Sequence, residues 1–378
     1  MSLQQRTRDV LAFAHLGDLH LTRAAERNYA DLLAIVAQIE ISMADRLDFV
    51  VLPGDNADNG LPEQYRLAAI ALKMLSIPVH AITGDHDMEQ GSLNAFHAVL
   101  ASDPLPKSVV VDRHHCLFLD ISGPGSGGPD FRMGADQMAW LKRELEAASA
   151  AARTVVIFMH SYPADLQGDG EASELDSLFR AHDVALVDMG HTHYNELANT
   201  GHTIFAATRS TGQIEEGPVG YSIATVDNDV VGWRFRLLDD PFPFVLITSP
   251  ADHRLARGKR HVVEAGGRHE VHALVFGPDE IDQVECRVGD GEWQPMSRDP
   301  PERLWVGQVQ VPDEHTPDLT VRAATADGRP GQHTIRLATR WVDAERPTAG
   351  SDAASIGAWP ENGIHGTQLG PNRNGRHW

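Results

Sequence analysis

Apolar runs rich in β-branched residues punctuate the first half of the chain. LAFAHL precedes Asp18, FVVL precedes Gly54, VHAI precedes Gly84, TVVIF precedes His160 and VALVDM precedes His191. Uninterrupted apolar runs of this length, spaced by helical patterns, predict buried strands of an α/β fold. Between them, residues 26–44 set Tyr29, Leu32, Leu33, Val36, Ile39 and Met43 on one helical face, and residues 136–150 repeat the spacing with Met138, Leu141 and Leu145. Residues 122–134 (SGPGSGGPDFRMG) form a Gly/Pro loop. Past His193 the period shortens to two. HTIFAAT (202–208), YSIATVD (221–227) and VVGWRFRLL (230–238) predict strands, with a hairpin turn at Asp227-Asn228-Asp229.

The proline-bounded stretch DDPFPFVLITSPAD (239–252) reads as a linker, which we place at 241–260. Beyond it EVHALVFG, QVECRVGDGEWQPM, LWVGQVQV and LTVRAATADGRPGQHTIRLAT predict a small immunoglobulin-like β-sandwich over 261–341, in which Trp293 and Trp305 are expected core anchors. Residues 342–378 are polar, anchored only by Ile356, Trp359, Ile364, Leu369 and Trp378. They form either a disordered tail or an extended arm on a folded surface, and the two tryptophans favour the arm.

Composition narrows the function. With 378 residues, 42% hydrophobic and 22% charged, the chain fits one large domain (1–240) plus a smaller one. Its 2 cysteines, Cys116 and Cys286, exclude a four-thiolate zinc site and a disulfide framework. No segment is long enough to span a bilayer and the N-terminus lacks a signal-like apolar stretch, so no membrane partner and a cytoplasmic location are expected. A net charge of −21 without a basic stripe argues against extended nucleic acid. A small phosphorylated substrate remains compatible, because bound metal reverses the local charge. The C-terminal domain is a candidate homo-oligomer surface.

The apolar runs end on five motifs: GDLH (17–20), GDNAD (54–58), GDHD (84–87), MHS (159–161) and GHTH (190–193). Loops past the carboxyl ends of such strands carry catalytic groups, so Asp18, His20, Asp55, Asp85, His160, His191 and His193 are expected along one rim. Each motif alone is common by chance; five in order, each after a strand, point to metal. Oxygen and imidazole donors without thiolate suit Mn, Fe, Zn or Co. Seven donors exceed one tetrahedral site and fit two cations sharing a carboxylate. Alternate residues share a side in extended backbone, so Asp18 and His20 can reach one ion, while His191 and His193 either pair on one ion or diverge in their loop to different ones. The glycines before Asp18, Asp55, Asp85 and His191 permit sharp turns. Arg23, Asn56 and Asn59 are candidate phosphate contacts, and Tyr194 and Asn195 candidate cleft residues. His15, His80, His97, His114 and His115 belong to no motif and are read as surface or packing groups.

The order D-x-H, G-D-x-x-D, G-x-H-D, H, G-H-x-H over roughly residues 10–237 resembles the calcineurin-like metallophosphoesterase superfamily, within it the bacterial cyclic-nucleotide phosphodiesterase and glycerophosphodiesterase group. The resemblance implies a four-layer α/β/β/α sandwich and a dinuclear centre of two divalent or mixed-valence ions. Asp18, His20 and His193 would hold the first metal, Asp55 would bridge, and Asp85, His160 and His191 would hold the second. His86 would assist the leaving oxygen, with Asp87 orienting its ring and Asp58 in support. A metal-bridging hydroxide would attack phosphorus in line. Where the family has Asn, this chain has Asp85, which adds negative charge and cannot donate to phosphate unless protonated. The expected reaction is hydrolysis of a small phosphodiester. The alternatives are a phosphomonoesterase or a metal-binding scaffold weakened by Asp85.

Overall fold

The structure is a computed structural model and describes residues 9–100, 103–123, 125, 130–298, 303–313, 316–341 and 354–366. In its first part, β1 (Val10–His15), α1 (Arg27–Ser42), β2 (Phe49–Leu52), α2 (Pro62–Leu72), β3 (Val79–Ala81) and α3 (Asn94–Val99) follow one another. Then come β4 (Lys107–Val111), β5 (His114–Phe118), α4 (Ala135–Ala150), β6 (Thr154–Phe158), α5 (Glu171–Ala181), β7 (Leu186–Met189), β8 (Glu196–Asn199), β9 (Ile204–Ala207), β10 (Gly220–Asp227) and β11 (Val230–Leu237). One sheet has the order β11-β10-β1-β2-β3 and the other β4-β5-β6-β7-β9-β8. Strands β1, β2 and β3 are mutually parallel, as are β5, β6, β7 and β9.

Strand alternation sorts the apolar side chains into layers. Leu11 and Phe13 of β1 point into a core shared with Phe49, Phe118, Val156 and Phe158, whereas Val10, Ala12 and Ala14 face Leu32, Ile35, Val36 and Ile39 of α1. The two sheets meet where the stacked Phe13–Phe49 pair of one packs edge-on against the stacked Phe118–Phe158 pair of the other, with the Phe158 ring centroid 5.1 Å from Phe13 and 5.8 Å from Phe49. Met138, Leu141 and Leu145 of α4 and Leu175 and Phe179 of α5 cover the outer face of the second sheet. The result is a mixed α/β fold of helix, sheet, sheet and helix layers.

The second part begins earlier than expected. Residues 241–260, assigned to a linker, contain β12 (Phe244–Ser249), which pairs antiparallel with β13 (Arg268–Phe276). The prolines bracket this strand rather than disrupt it, and Phe244, Val245, Leu246 and Ile247 are buried. It is followed by β14 (Ile281–Val288), β15 (Gln294–Pro295), β16 (Trp305–Gln310), β17 (Asp318–Thr325) and β18 (Pro330–Arg336). Two antiparallel sheets result, β12-β13-β16 and β15-β14-β17-β18. Trp293 is not a core anchor: it is half-buried, with the guanidinium groups of Arg287 and Arg322 4.4 and 3.9 Å from its ring centre. Trp305 packs half-buried against the core margin. Of the C-terminal stretch, residues 354–366 lie as an arm on β8 and β11. Leu369 and Trp378 fall outside the described residues, as do 124 and 126–129 of the Gly/Pro loop.

His333 on β18 joins these parts. Its Nδ1 accepts from Ile247 N–H at 3.0 Å, and its Nε2 meets Asn362 Oδ1 at 2.9 Å. Burial, reinforced by the charge of Arg234, pulls its pKa down to about 3. The folded ring is therefore neutral where the unfolded one, near 6.5, takes a proton. Stability is full above pH 6.5 and falls as pH drops from 6.5 toward 3, by at most about 1.4 kcal/mol per pH unit. Between pH 7 and 5 the melting temperature of His333→Gln should fall less steeply than that of the parent, whatever its value at pH 7. Identical slopes would remove His333 from the acid response.

Candidate functional site

The motif residues collect where β1, β2, β3, β6 and β7 end. Asp55, Asp85, His160 and His191 bring one donor atom each within 4.8 Å of one another, and His20, Asp55 and His193 do the same. Asp55 belongs to both groups. His191 and His193 diverge to different groups, as a loop allows. A third group joins His20, Asp58 and His86. Asp18 stands beside these sets rather than within them: its Oδ2 accepts from His191 N–H at 3.0 Å, and its Oδ1 lies 3.8 Å from His160 Nδ1.

Local backbone explains the convergence. The expected glycine turns account for only part of it, since His20, Asp55, His191 and His193 themselves adopt positive φ angles of 40°, 48°, 66° and 61°. Such angles are unfavourable for side chains with a Cβ and persist where the surroundings fix them, often at functional sites. Gly84 matters for space rather than rotation: a Cβ there would lie 2.6 Å from both Asp55 N and His160 Cε1.

Partners orient the imidazoles. His160 Nδ1 bonds Pro53 O at 2.8 Å, so its Nε2 faces Asp85 Oδ1 at 3.2 Å and Asp55 Oδ2 at 3.3 Å. His191 Nδ1 lies 3.3 Å from the same Asp85 oxygen. His20 Nε2 and His193 Nε2 are 3.0 Å apart. Phe131 walls the site, its ring centre 5.8 Å from His160 and 5.0 Å from His191; nothing in the sequence distinguished it.

The site is electrostatically costly as it stands. Burial, moderated by His160 and reinforced by Asp55, pushes the Asp18 carboxyl up to about 7. Burial and then the charge of Asp55 raise Asp87 to about 6. Burial works against ionised Asp85, yet hydrogen bonds from His160 and His191 hold it well below the usual carboxylate range. His160 is raised well above its ordinary value by Asp55, Asp85 and Asp18 in spite of burial. His20 is lowered, chiefly by burial, and burial with the His20 charge brings His193 down to about 3. Both of those rings are thus neutral near pH 7, the form that ligates metal. Asp18 Oδ1 is buried without a hydrogen-bond partner among the described residues. An unpartnered carboxylate oxygen and opposed neutral imidazoles fit cation binding.

Other expectations are redistributed. Asp87 does not meet the His86 ring. Its carboxylate accepts from Gly84 N–H at 3.0 Å, Ala57 N–H at 3.2 Å, Asn56 Nδ2 at 3.0 Å and Tyr65 O–H at 2.9 Å, tying the second motif to the third. The His86 ring is set instead by Asp58, whose backbone carbonyl lies 2.8 Å from Nδ1. The Asp58 carboxylate accepts from Gln213 Nε2 at 3.2 Å, which brings the 210–218 loop to the site's edge. Asn56 is a buried tie, bonding Ile82 O at 2.8 Å. Asn59 bonds Glu89 at 3.0 Å, and exposed Arg23 pairs with Glu26. Tyr194 is half-buried, and Asn195 is too deeply buried to line a cleft. His15, His114 and His115 are buried packing groups; His15 Nδ1 lies 2.5 Å from Asp188 Oδ1 beneath the site.

Residues 11–195, which hold this whole cluster, match the model of the calcineurin-like phosphoesterase family. That segment, just under half of the chain, is similar to this family. It is 28% identical over 165 residues to the glycerophosphodiester phosphodiesterase GpdQ of Enterobacter lignolyticus, covering 41% of this chain and 58% of that protein. It is 26% identical over 126 residues to a protein of Arcobacter nitrofigilis named "Probable glycerophosphodiester phosphodiesterase GpdQ", covering 31% and 42%. The chain thus spans about half the length of these relatives. Among solved structures it is similar to a dimetal phosphatase from Danio rerio, with a TM-score of 0.48 and 16% identity over 61% of this chain and 97% of that one. Among the described residues, no helix is long and apolar enough to cross a membrane.

Proposed function

We propose that the chain is a dinuclear-metal-dependent phosphoesterase that hydrolyses small phosphodiesters of the glycerophosphodiester or cyclic-nucleotide type. The observation that carries this reading is the pair of donor groups sharing Asp55, with His86 half-exposed at their edge. His20 and His193, with Asp18 alongside, would hold one cation; Asp85, His160 and His191 would hold the other; Asp55 would serve both. Two such cations polarise phosphoryl oxygens and lower the pKa of water toward neutrality for attack at phosphorus. His86 would hand a proton to the leaving oxygen. Its Nδ1 is committed to Asp58, which leaves Nε2 for that task. Burial disfavours the charged ring, but Asp55, the Asp58 carbonyl and Asp85 raise its pKa overall, which favours the proton-donating form. We read the two C-terminal sheets as an immunoglobulin-like sandwich that could serve as a subunit contact, and cytoplasm as the location.

A panel of phosphomonoesters, diesters and cyclic nucleotides, run with defined Mn, Zn, Fe or Co on protein of measured metal content, tests the reading. Diesters are expected to be preferred. Turnover of monoesters alone would overturn the substrate class, and two bound cations without turnover would overturn the enzyme. The same panel decides the role of Asp85. An Asn carbonyl oxygen can take the place of Asp85 Oδ1 between His160 and His191, while removing one negative charge from the path of an anionic substrate. Asp85→Asn should keep both cations and keep or raise diester turnover. Loss of both metals and all activity would show that the carboxylate itself is required.

A further inference from the structure

We propose that the C-terminal arm is a strut of the metal centre, acting through Asn195 to hold His193 in ligating position; this rests on the two-cation reading above. The arm is seated as a built element. Ser355 forms an antiparallel bridge with Ala198, and Ile356 N–H donates to Leu197 O at 3.0 Å, so the arm extends the free edge of β8. It then turns on itself, with Trp359 and Ile364 exchanging backbone hydrogen bonds of 2.8 and 3.1 Å. Both side chains are buried, and Arg254 covers the Trp359 ring at 4.3 Å. At the tip, Asn362 is fully buried and satisfied on both sides: Nδ2 donates to Trp233 O at 2.6 Å, and Oδ1 faces His333 Nε2. Gly363 has φ of 85°, and a Cβ there would come 2.6 Å from Phe235 Cβ. A satisfied buried amide next to a position that admits only glycine defines one placement for the turn.

From that placement the arm reaches the site. Gly363 O accepts from Asn195 Nδ2 at 2.9 Å. Asn195 N–H donates to Glu216 Oε1 at 3.0 Å, and its Oδ1 accepts from Arg209 N–H at 2.9 Å. The residues after Arg209 wrap the Asp18 carbonyl, which accepts from Ser210 Oγ at 2.8 Å, Thr211 N–H at 3.1 Å and Gly212 N–H at 3.0 Å. One buried amide therefore joins the arm, the Asp18 turn and the segment carrying His193 two positions upstream. His193 sits in a left-handed backbone conformation that relaxes unless its neighbours fix it. The Asn195 clamp supplies that fixation. The other group leans less on the arm: Asp55, Asp85 and His160 lie on loops after β2, β3 and β6, and its fourth donor, His191, shares the 190–193 loop but has its N–H held by Asp18 Oδ2 at 3.0 Å, whereas the bonds of the arm fall on β8, β11, β18 and Asn195. The arm should thus govern the His20–His193 cation site and spare the other. Asn195 is a positioning residue, not a catalytic one.

The test is metal titration of the full chain, with the apo protein titrated by Mn2+ in a calorimeter and by Co2+ followed through its visible absorption. Asn195→Asp keeps size and the acceptor for Arg209 N–H but sets an oxygen against Gly363 O. Gly363→Ala displaces the arm from its own side. The parent should bind two equivalents. Each variant should keep one binding step and weaken the other on the order of 10–100-fold, as loss of a group supporting a metal ligand does. Two unchanged steps in folded variants would overturn the strut, and so would equal weakening of both, which is what a general loss of packing produces. Should Gly363→Ala fail to fold, the near-isosteric Asn195→Asp decides alone. A parent that binds no second equivalent would instead remove the two-cation reading itself, and the strut with it.

Discussion

Asp55→Ala is expected to leave the protein with one cation or none and to lower kcat/KM for bis(p-nitrophenyl) phosphate on the order of a thousand-fold or more, since losing several kcal/mol of transition-state stabilisation costs tenfold per 1.36 kcal/mol. The reason is position. Asp55 Oδ2 lies 3.3 Å from His160 Nε2 and 3.7 Å from His20 Nε2, and no other carboxylate among the described residues stands in both donor groups. Its Oδ1 accepts from His86 N–H at 3.0 Å, so the same side chain sets the start of the third motif. Burial raises the cost of its charge, but His160 and then His20 hold its carboxyl below the usual value, so it presents an ionised oxygen to a cation. A second readout separates metal loss from misfolding. Cations that bind only the folded state stabilise it by RT ln(1 + [L]/Kd), so the gap in melting temperature between metal-loaded and chelator-treated protein should shrink in Asp55→Ala while the chelated baseline stays cooperative. A variant that retains two equivalents and the full gap would strip Asp55 of its shared role.

That Asp55 could be placed among the converging donors from sequence has a physical basis. The donors lie in short motifs at strand ends, and a parallel sheet aligns strand ends whatever the loops between them do. Asp55 follows β2 in one sheet and His160 follows β6 in the other, so strand order aligns each with the donors of its own sheet and the packing of the two sheets brings them together. The strand hairpin β4–β5 was harder to read: KSVVV and HHCLF are interrupted by polar and basic residues, and burial of His114 and His115 comes from tertiary packing rather than hydropathy. β12 was hidden by Pro241, Pro243 and Pro250, which signal a linker locally but flank a strand whose edges tolerate proline. Backbone handedness at the candidate donors was equally invisible, because positive φ at His20, Asp55, His191 and His193 is imposed by the packed loops and contradicts the preference of each residue. Asn195 looked like a cleft residue because it follows GHTH. Its burial depends on a partner 168 positions away.

His86→Ala should show the opposite pattern to Asp55→Ala, with both cations retained and chemistry impaired. His86 is in neither group that shares Asp55; it touches the site through His20, with ring centroids 4.6 Å apart, and its side chain is 30% exposed, where a substrate can meet it. General acid assistance is worth roughly 10²–10⁴-fold, but only when the departing alkoxide needs a proton. The loss should therefore approach that range for an alkyl diester such as glycerophosphoethanolamine and shrink by at least about tenfold for a nitrophenyl diester, whose phenolate leaves without help. A metal-binding role predicts otherwise: equal losses on both substrates, with reduced cation content. Equal losses with both cations present would make His86 a stabiliser of charge on phosphorus rather than a proton donor. Asp58→Asn provides the control, because it preserves the backbone carbonyl that holds His86 Nδ1. The leaving-group dependence in that variant should match the parent even if its overall rate falls through the contact with His20 Nδ1 at 3.6 Å.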